Sequence, residues 1–190
     1  MPPQTDSMAV ITAALDPLAG KRVLDVGCGT GVLARSLSAR GAWVAGVDPD
    51  DQALAVAREA VPTGVFHAVG VQALPFADRT FDGAVFLNSL HHVPELDMYP
   101  ALRETARVVQ PGSPIVVVEP LAEGSFFSVL RIVEDETDVR AAAQKVIRKA
   151  LNDGVFERLD LIDYPRCEHF EDVDQFLARI VTAEPARAPV

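Results

Sequence analysis

VLDVGCGTG, residues 23–31, joins an apolar run to a loop with glycine at every second position: Gly27, Gly29 and Gly31. The run RVLDV (22–26) is short, apolar and closed by glycine, which reads as a buried strand. The glycines let the backbone turn sharply and approach a ligand closely. GVLARSLSAR (31–40) has apolar residues at helical spacing, and Gly41 follows as a stop. Strand, glycine loop and helix together present free backbone N–H groups at a helix start. The spacing discriminates between nucleotide ligands. A dinucleotide loop reads G-x-G-x-x-G, and counting from Gly27 its third glycine position holds Val32. The pattern here is D-x-G-x-G-x-G. The Asp25 carboxylate near the loop disfavours pyrophosphate and favours a ligand bearing an amino group or a sulfonium. The chain has no G-x-x-x-x-G-K-[ST] phosphate loop.

Outward from this unit, strands and helices alternate. SMAVITAAL (7–15) reads as a short helix capped by Thr5 or Asp6. AWVAGV (42–47) is a second buried strand, and DDQALAVAREA (50–60) a helix with acids in its first turn, where the dipole favours them. VFHAV (65–69) is a third strand, LPFADRTF a turn region, and GAVFL (83–87) a fourth strand. A helix over 97–109 ends before Pro111-Gly112, and PIVVVE is a fifth strand. Residues 126–151 read as mostly helical. FERLDLID (156–163) alternates like a half-exposed strand six, and 172–181 is a short helix before a tail, EPARAPV. The expected fold is α/β: a doubly wound, mostly parallel sheet with helices on both faces. Ligands in such sheets bind beyond the carboxyl ends of the strands. The loops after strands one, two and four therefore line the expected site.

Composition narrows the function classes. The 190 residues are 49% hydrophobic and 23% charged, and fit one domain. A formal net charge of −10 disfavours nucleic acid and anionic membranes. The basic stripe Lys145, Arg148 and Lys149 reads as a solvated helix face. No stretch approaches the roughly 18 apolar residues of a membrane span, and MPPQTDSMAV lacks a basic region followed by an apolar run. The expectation is a cytoplasmic protein acting on a small molecule, with no nucleic-acid or membrane partner. Two cysteines, Cys28 and Cys167, are too few for a disulfide framework or a structural zinc site. The acids of VEDETDV (Glu134, Asp135, Glu136, Asp138) read as a solvated helix face, so no metal is expected.

Asp48 follows strand two. A carboxylate there can accept hydrogen bonds from both hydroxyls of a ribose. It could instead cap the following helix, but Asp50 can do that equally well. With these features in place, the chain resembles the class I S-adenosylmethionine-dependent methyltransferases of the Rossmann-like, type 11-like kind. The resemblance rests on VLDVGCGTG, the acid after strand two, the LPF…FD turn and the strand leading into NSLHHVP. It also rests on the L-R-E-x-x-R-V-x-x-P-G-S stretch from Leu102 to Ser113, and covers residues 21 to about 120.

The resemblance implies a single methyltransferase domain over 1–190. Residues 1–20 are its N-terminal helix region, 21–120 its cofactor-binding core, and 121–190 its helix, strand six, C-terminal helix and tail. It implies that Asp25 and the loop of Gly27, Cys28, Gly29 and Gly31 cradle the methionine part of S-adenosylmethionine. Asp48 takes the ribose, and Pro49 or Asp50 lies beside the adenine. Gly70 stands where the family often has an acid, leaving adenine to the Val71 backbone and the Gln72 side chain. Asn88 faces the methionine end. His91 or His92 could take a proton from an acceptor. His67 and His169 read as structural. An N/D-P-P-Y motif, which marks DNA amino-methyltransferases, is replaced by N-S-L-H, which argues against base methylation. The implied reaction is methyl transfer to an oxygen, nitrogen or carbon of a small molecule, releasing S-adenosylhomocysteine. The rivals are a non-enzymatic S-adenosylmethionine-binding or scaffold protein and, more remotely, a nicotinamide-dependent oxidoreductase. A complete strand seven is expected to be missing. An unpaired strand five would then invite a homodimer or aggregation.

Overall fold

The computed structural model of the chain describes residues 6–165 and 169–183. Its element order is α1 (Ser7–Ala14), β1 (Arg22–Val26), α2 (Val32–Ser38), β2 (Trp43–Asp48), α3 (Asp51–Ala60), β3 (Val65–Ala68) and β4 (Gly83–Leu87). There follow a 3-10 turn at Leu90–His92, α4 (Glu95–Val108), β5 (Ile115–Val118), α5 (Gly124–Val133), α6 (Thr137–Asn152) and α7 (Val173–Ala183). The five strands are parallel in the order β3-β2-β1-β4-β5. The order reverses between β1 and β4, so the carboxyl ends of those strands frame a crevice. This is the doubly wound α/β fold expected from the alternation.

Side chains alternate between the faces of the sheet and build two cores. Val23, Val44 and Val85 pack with Ile11, Leu15, Leu37 and Leu54, on the side of α1, α2 and α3. Leu24, Val26, Ala84 and Phe86 pack with Met98, Leu102, Ala143 and Ala150, on the side of α4 and α6. Such continuous apolar strands suit a sheet covered on both sides. The helix starts follow their local chemistry. Asp6 accepts from the Ala9 N–H at 2.7 Å, and Asp50 accepts from Gln52 and Ala53 at 2.8 and 3.2 Å. The L-R-E-x-x-R stretch fixes the turn before β4. Arg107 bonds Glu104, the carbonyls of Leu74 and Phe76, and Asp78, while Glu104 accepts from the Leu74 N–H.

The carboxyl-terminal third departs from the sequence reading. The stretch 126–151 is mostly helical, as expected, and is divided into two helices. Asp135 accepts from the Thr137 N–H at 3.1 Å, a local side-chain bond that competes with helix continuation and starts α6 afresh. Strand six, expected over 156–163, does not form: 155–165 has no regular secondary structure, and Leu159 is 82% exposed. Alternating side chains make a strand only where a neighbour pairs the backbone, and β5 is not paired with this segment. Among the described residues no strand follows β5, and 173–183 is helix, so no strand seven stands beside it. Helix α4 starts two residues earlier than expected, directly after Pro94. Thr5, Cys167 and residues 184–190 of the tail lie outside the described residues.

Gly46 marks a tight point of the α1–α3 core. A Cβ there would sit 2.6 Å from both the Cys28 sulfur and the Phe66 ring. Gly46→Val is expected to destabilise the chain by about 1–3 kcal/mol through overpacking. Urea unfolding at constant m-value checks this.

Candidate functional site

The site is assembled at the carboxyl ends of β2, β1, β4 and β5, and each junction is made by a named contact. Between β2 and β1, Asp48 Oδ2 accepts from the Gly29 N–H at 2.9 Å, while Oδ1 accepts from the Asp50 N–H at 2.9 Å. Between β1 and β4, the Ser89 hydroxyl donates to the Val26 carbonyl at 2.6 Å. A Cβ on Gly27, whose φ is +73°, would meet the Ser89 Cβ at 2.5 Å, so glycine is required both by conformation and by space. Between β4 and β5, the Asn88 N–H donates to Val118 at 2.8 Å. The Leu90 N–H donates to Glu119 Oε1 at 2.8 Å, and His91 Nδ1 donates to Glu119 Oε2 at 2.5 Å.

Within the glycine loop the roles divide. Gly31 approaches α3 so closely that a Cβ would lie 2.9 Å from that of Ala57. Gly29, at φ +48°, has open space where a side chain would be. Gly29, half-buried, thus forms the open crest of the loop, whereas a side chain would clash at the exposed Gly27 and at the buried Gly31. Asn88 holds a left-handed backbone at φ +54°, uncommon for a residue with a side chain and concentrated at functional sites.

Asp25 lies beneath the loop and is 1% exposed. Its Oδ2 has no hydrogen-bond partner. Burial raises its carboxyl from 3.8 to about 7; the Ala34 N–H near the start of α2 lowers it, and Asp48 raises it further. A positive ligand group over the loop would offset the cost of ionising it.

Residues 23–112 match a family model described as a methyltransferase domain. The chain is similar over this stretch, just under half of its length, to the class I S-adenosylmethionine-dependent methyltransferases. It is 38% identical over 116 residues to O-methyltransferase cnsE of Penicillium expansum, covering 57% of this chain and 41% of that protein. It is 38% identical over 111 residues to the ubiquinone biosynthesis O-methyltransferase of Alkalilimnicola ehrlichii, covering 56% and 44%. Among solved structures it is similar to S-adenosylmethionine-bound CalS10, an amino pentose methyltransferase from Micromonospora echinaspora. That match has a TM-score of 0.52 and 27% identity, and covers 60% of this chain and 48% of the other. The chain thus spans less than half the length of the two curated relatives.

The geometry of the crevice fits S-adenosylmethionine. Space is open above Gly29, two acids flank the loop, and Asp25 keeps an unpartnered buried oxygen. The residues expected from the sequence do not contribute equally. Cys28 is turned into the core, its N–H donating to Val47 and its carbonyl accepting from Gly31; burial pushes its thiol above the ordinary range. Pro49 is exposed beside Asp48, and the helix cap falls to Asp50. The Val71 side chain belongs to the core, while the Gln72 amide folds back over Gly70.

His91 is buried and His92 exposed, their rings 4.1 Å apart. Desolvation of the ring and the neighbouring His91 hold His92 below the ordinary imidazole range. His67 packs edge-on against Phe76, away from this cluster.

Three residues in this neighbourhood escaped the sequence reading. Ser89 had no motif, although the need for glycine at position 27 implies a close neighbour. Glu119 was counted as the end of a strand, yet it is an acid at a strand's carboxyl end, like Asp48. Glu136, read as solvated, is buried and paired with Arg140 at 2.5 Å. A surface groove of about 420 Å³, lined in part by Tyr99, Arg103 and Asp153, touches none of these site residues.

Asp25 gives a pH signature. Between about pH 4 and pH 7 the folded chain holds a proton that the unfolded chain has released. Its contribution therefore falls as pH rises through that window and is constant above it. Asp25→Asn is expected to gain stability over the wild type by up to about 1.4 kcal/mol per pH unit across the window. Urea unfolding of both proteins from pH 4.5 to 8 checks this; a constant difference between them would rule it out.

Proposed function

We propose that the chain transfers a methyl group from S-adenosylmethionine to a hydroxyl of a small-molecule acceptor, and that it acts in the cytoplasm without a nucleic-acid partner. The observation that carries the proposal is the Asp48 bridge to the crest of the glycine loop. It sets a carboxylate, a stretch of open backbone and the left-handed Asn88 around one crevice. The choice of a hydroxyl is supported by relatives named O-methyltransferases, and the acidic surface supports a small acceptor over nucleic acid. No helix among the described residues is long and apolar enough to cross a membrane.

Asp48 would hold the ribose with the lone pairs left after its two backbone bonds. The backbone of Gly27, Gly29 and Gly31 would admit the methionine portion above Asp25. Cys28 would support the loop from below. Pro49, Val71 and Gln72 would border the adenine, and Asn88 the methyl end. The cofactor supplies a methyl group already activated on sulfur, so the protein's task is largely alignment of the acceptor. His91 and His92 stand on the acceptor side. With His91 committed to Glu119 through Nδ1, the pair acts by placing and polarising the acceptor's oxygen. Among the described residues β5 is an edge strand, which also favours self-association as a homodimer.

Calorimetry is expected to give one S-adenosylhomocysteine site per chain; tighter binding of NADH would refute the proposal. Asp48→Ala is expected to weaken that binding by about 1.5–3 kcal/mol, and Gly29→Val to abolish it by filling the crest. Sedimentation over a concentration series is expected to show association; a monomer throughout would remove the dimer.

A further inference from the structure

We propose that His91, His92 and Glu136 form a binding site for a divalent transition-metal ion of the Zn²⁺ class, beside the carboxyl end of β4. One donor atom from each of the three residues lies within 4.8 Å of the others. The donors come from two distant segments. The histidines lie on the turn after β4, and Glu136 lies 44 residues beyond His92, at the start of α6.

The supporting contacts are those a metal site requires. A ligating histidine commonly gives its other ring nitrogen to a carboxylate, which fixes the tautomer and aims the lone pair. His91 does this: Nδ1 donates to Glu119 at 2.5 Å, leaving Nε2 for another partner. Glu119 is itself held by the Leu90 N–H at 2.8 Å. Glu136 is fixed from behind by Arg140, whose Nε and Nη2 both bond the same oxygen, at 3.0 and 2.5 Å. Arg140 is anchored in turn by the Leu121 carbonyl at 3.0 Å and by the Phe127 ring at 4.6 Å.

An ion pair alone would account for Glu136 and Arg140. It would not account for two imidazoles converging on that pair, nor for the carboxylate behind one of them.

The donor set selects the ion. Two imidazoles and one carboxylate suit Zn²⁺ and its neighbours, whereas Mg²⁺ and Ca²⁺ prefer oxygen ligands throughout. Tetrahedral Zn²⁺ with bonds of roughly 2.0–2.2 Å holds its ligand atoms about 3.3 Å apart. The donors therefore close by about 1–1.5 Å on binding, a movement the exposed His92 can make by rotation. Three protein ligands leave a fourth position for water or, on the methyl-transfer reading, for the acceptor's oxygen.

The full chain, freed of metal by a chelator, is titrated with Zn²⁺ against a chromophoric competitor and with Co²⁺ by visible absorption. The expected result is one ion per chain, an intense tetrahedral Co²⁺ spectrum, and no competition from Mg²⁺. His92→Ala and Glu136→Gln should each weaken Zn²⁺ at least tenfold. Glu119→Gln should weaken it about 10–100-fold, and His169→Ala should leave it unchanged. Glu136→Gln leaves Arg140 without its carboxylate and could unfold the chain. The exposed His92→Ala then decides, with folding followed by circular dichroism. A wild type that takes up no stoichiometric Zn²⁺, or a folded His92→Ala that binds as the wild type does, overturns the proposal. The titrations contain no cofactor, so their failure is distinct from a failure to bind S-adenosylhomocysteine.

Discussion

The carboxyl ends of β1 and β4 meet with no room between them, and the arrangement of the site depends on that closeness. Gly27 must lack a side chain because Ser89 occupies the space, and the Ser89 hydroxyl closes the junction by donating to the carbonyl of Val26. The junction holds the glycine loop against the turn after β4. From there the contacts run outward in both directions, through Gly29 to Asp48 on one side and through Leu90 to Glu119 on the other. Four strand ends thus become one rigid rim, although each is reached by a separate crossover. The side chains of Asp48, Ser89 and Glu119 each bond a backbone group across a junction, and the Asn88 N–H bonds the Val118 carbonyl directly.

The electrostatics of the rim are costly for the protein and useful for a ligand. Asp25 is buried with one oxygen unpartnered, and the nearby Asp48 carboxylate raises its cost of ionisation further. A structure selected only for stability would replace Asp25 with an apolar or amide residue. A pair of acids around a loop of open backbone repels phosphate and rewards a cationic group. This physical difference separates the site from a dinucleotide cradle, whose glycine loop is otherwise similar.

How much could be read in advance followed from how local each interaction is. Strands β1, β2 and β4 were legible because their apolar runs are buried on both faces, and β5 because its run is continuously apolar although half-exposed. The Asp50 cap was legible because its bonds span two or three residues. Residues 156–163 misled because alternation records only which side chains face where, and a strand also needs a partner for its backbone. The helical character of 126–151 was legible, but the break within it was not, because Asp135, an ordinary helix residue by pattern, bonds the backbone at Thr137 and restarts the turn.

The sequence by itself determined the doubly wound sheet, the position of the glycine loop and the residues Asp25, Asp48 and Asn88. Each belongs to a strand–loop–helix unit whose order along the chain is also its order in space. Only the tertiary structure decided which of these residues are buried, sinking Cys28 into the core and Asp25 beneath the loop. It alone joined His91 to Glu119 and carried Glu136, read as solvated, into a buried cluster with Arg140. Those pairs do not share one continuous stretch of chain. They meet because β5 lies beside β4 and α6 packs over the turn that follows β4, a proximity set by burial of the sheet's second face and written in no local pattern.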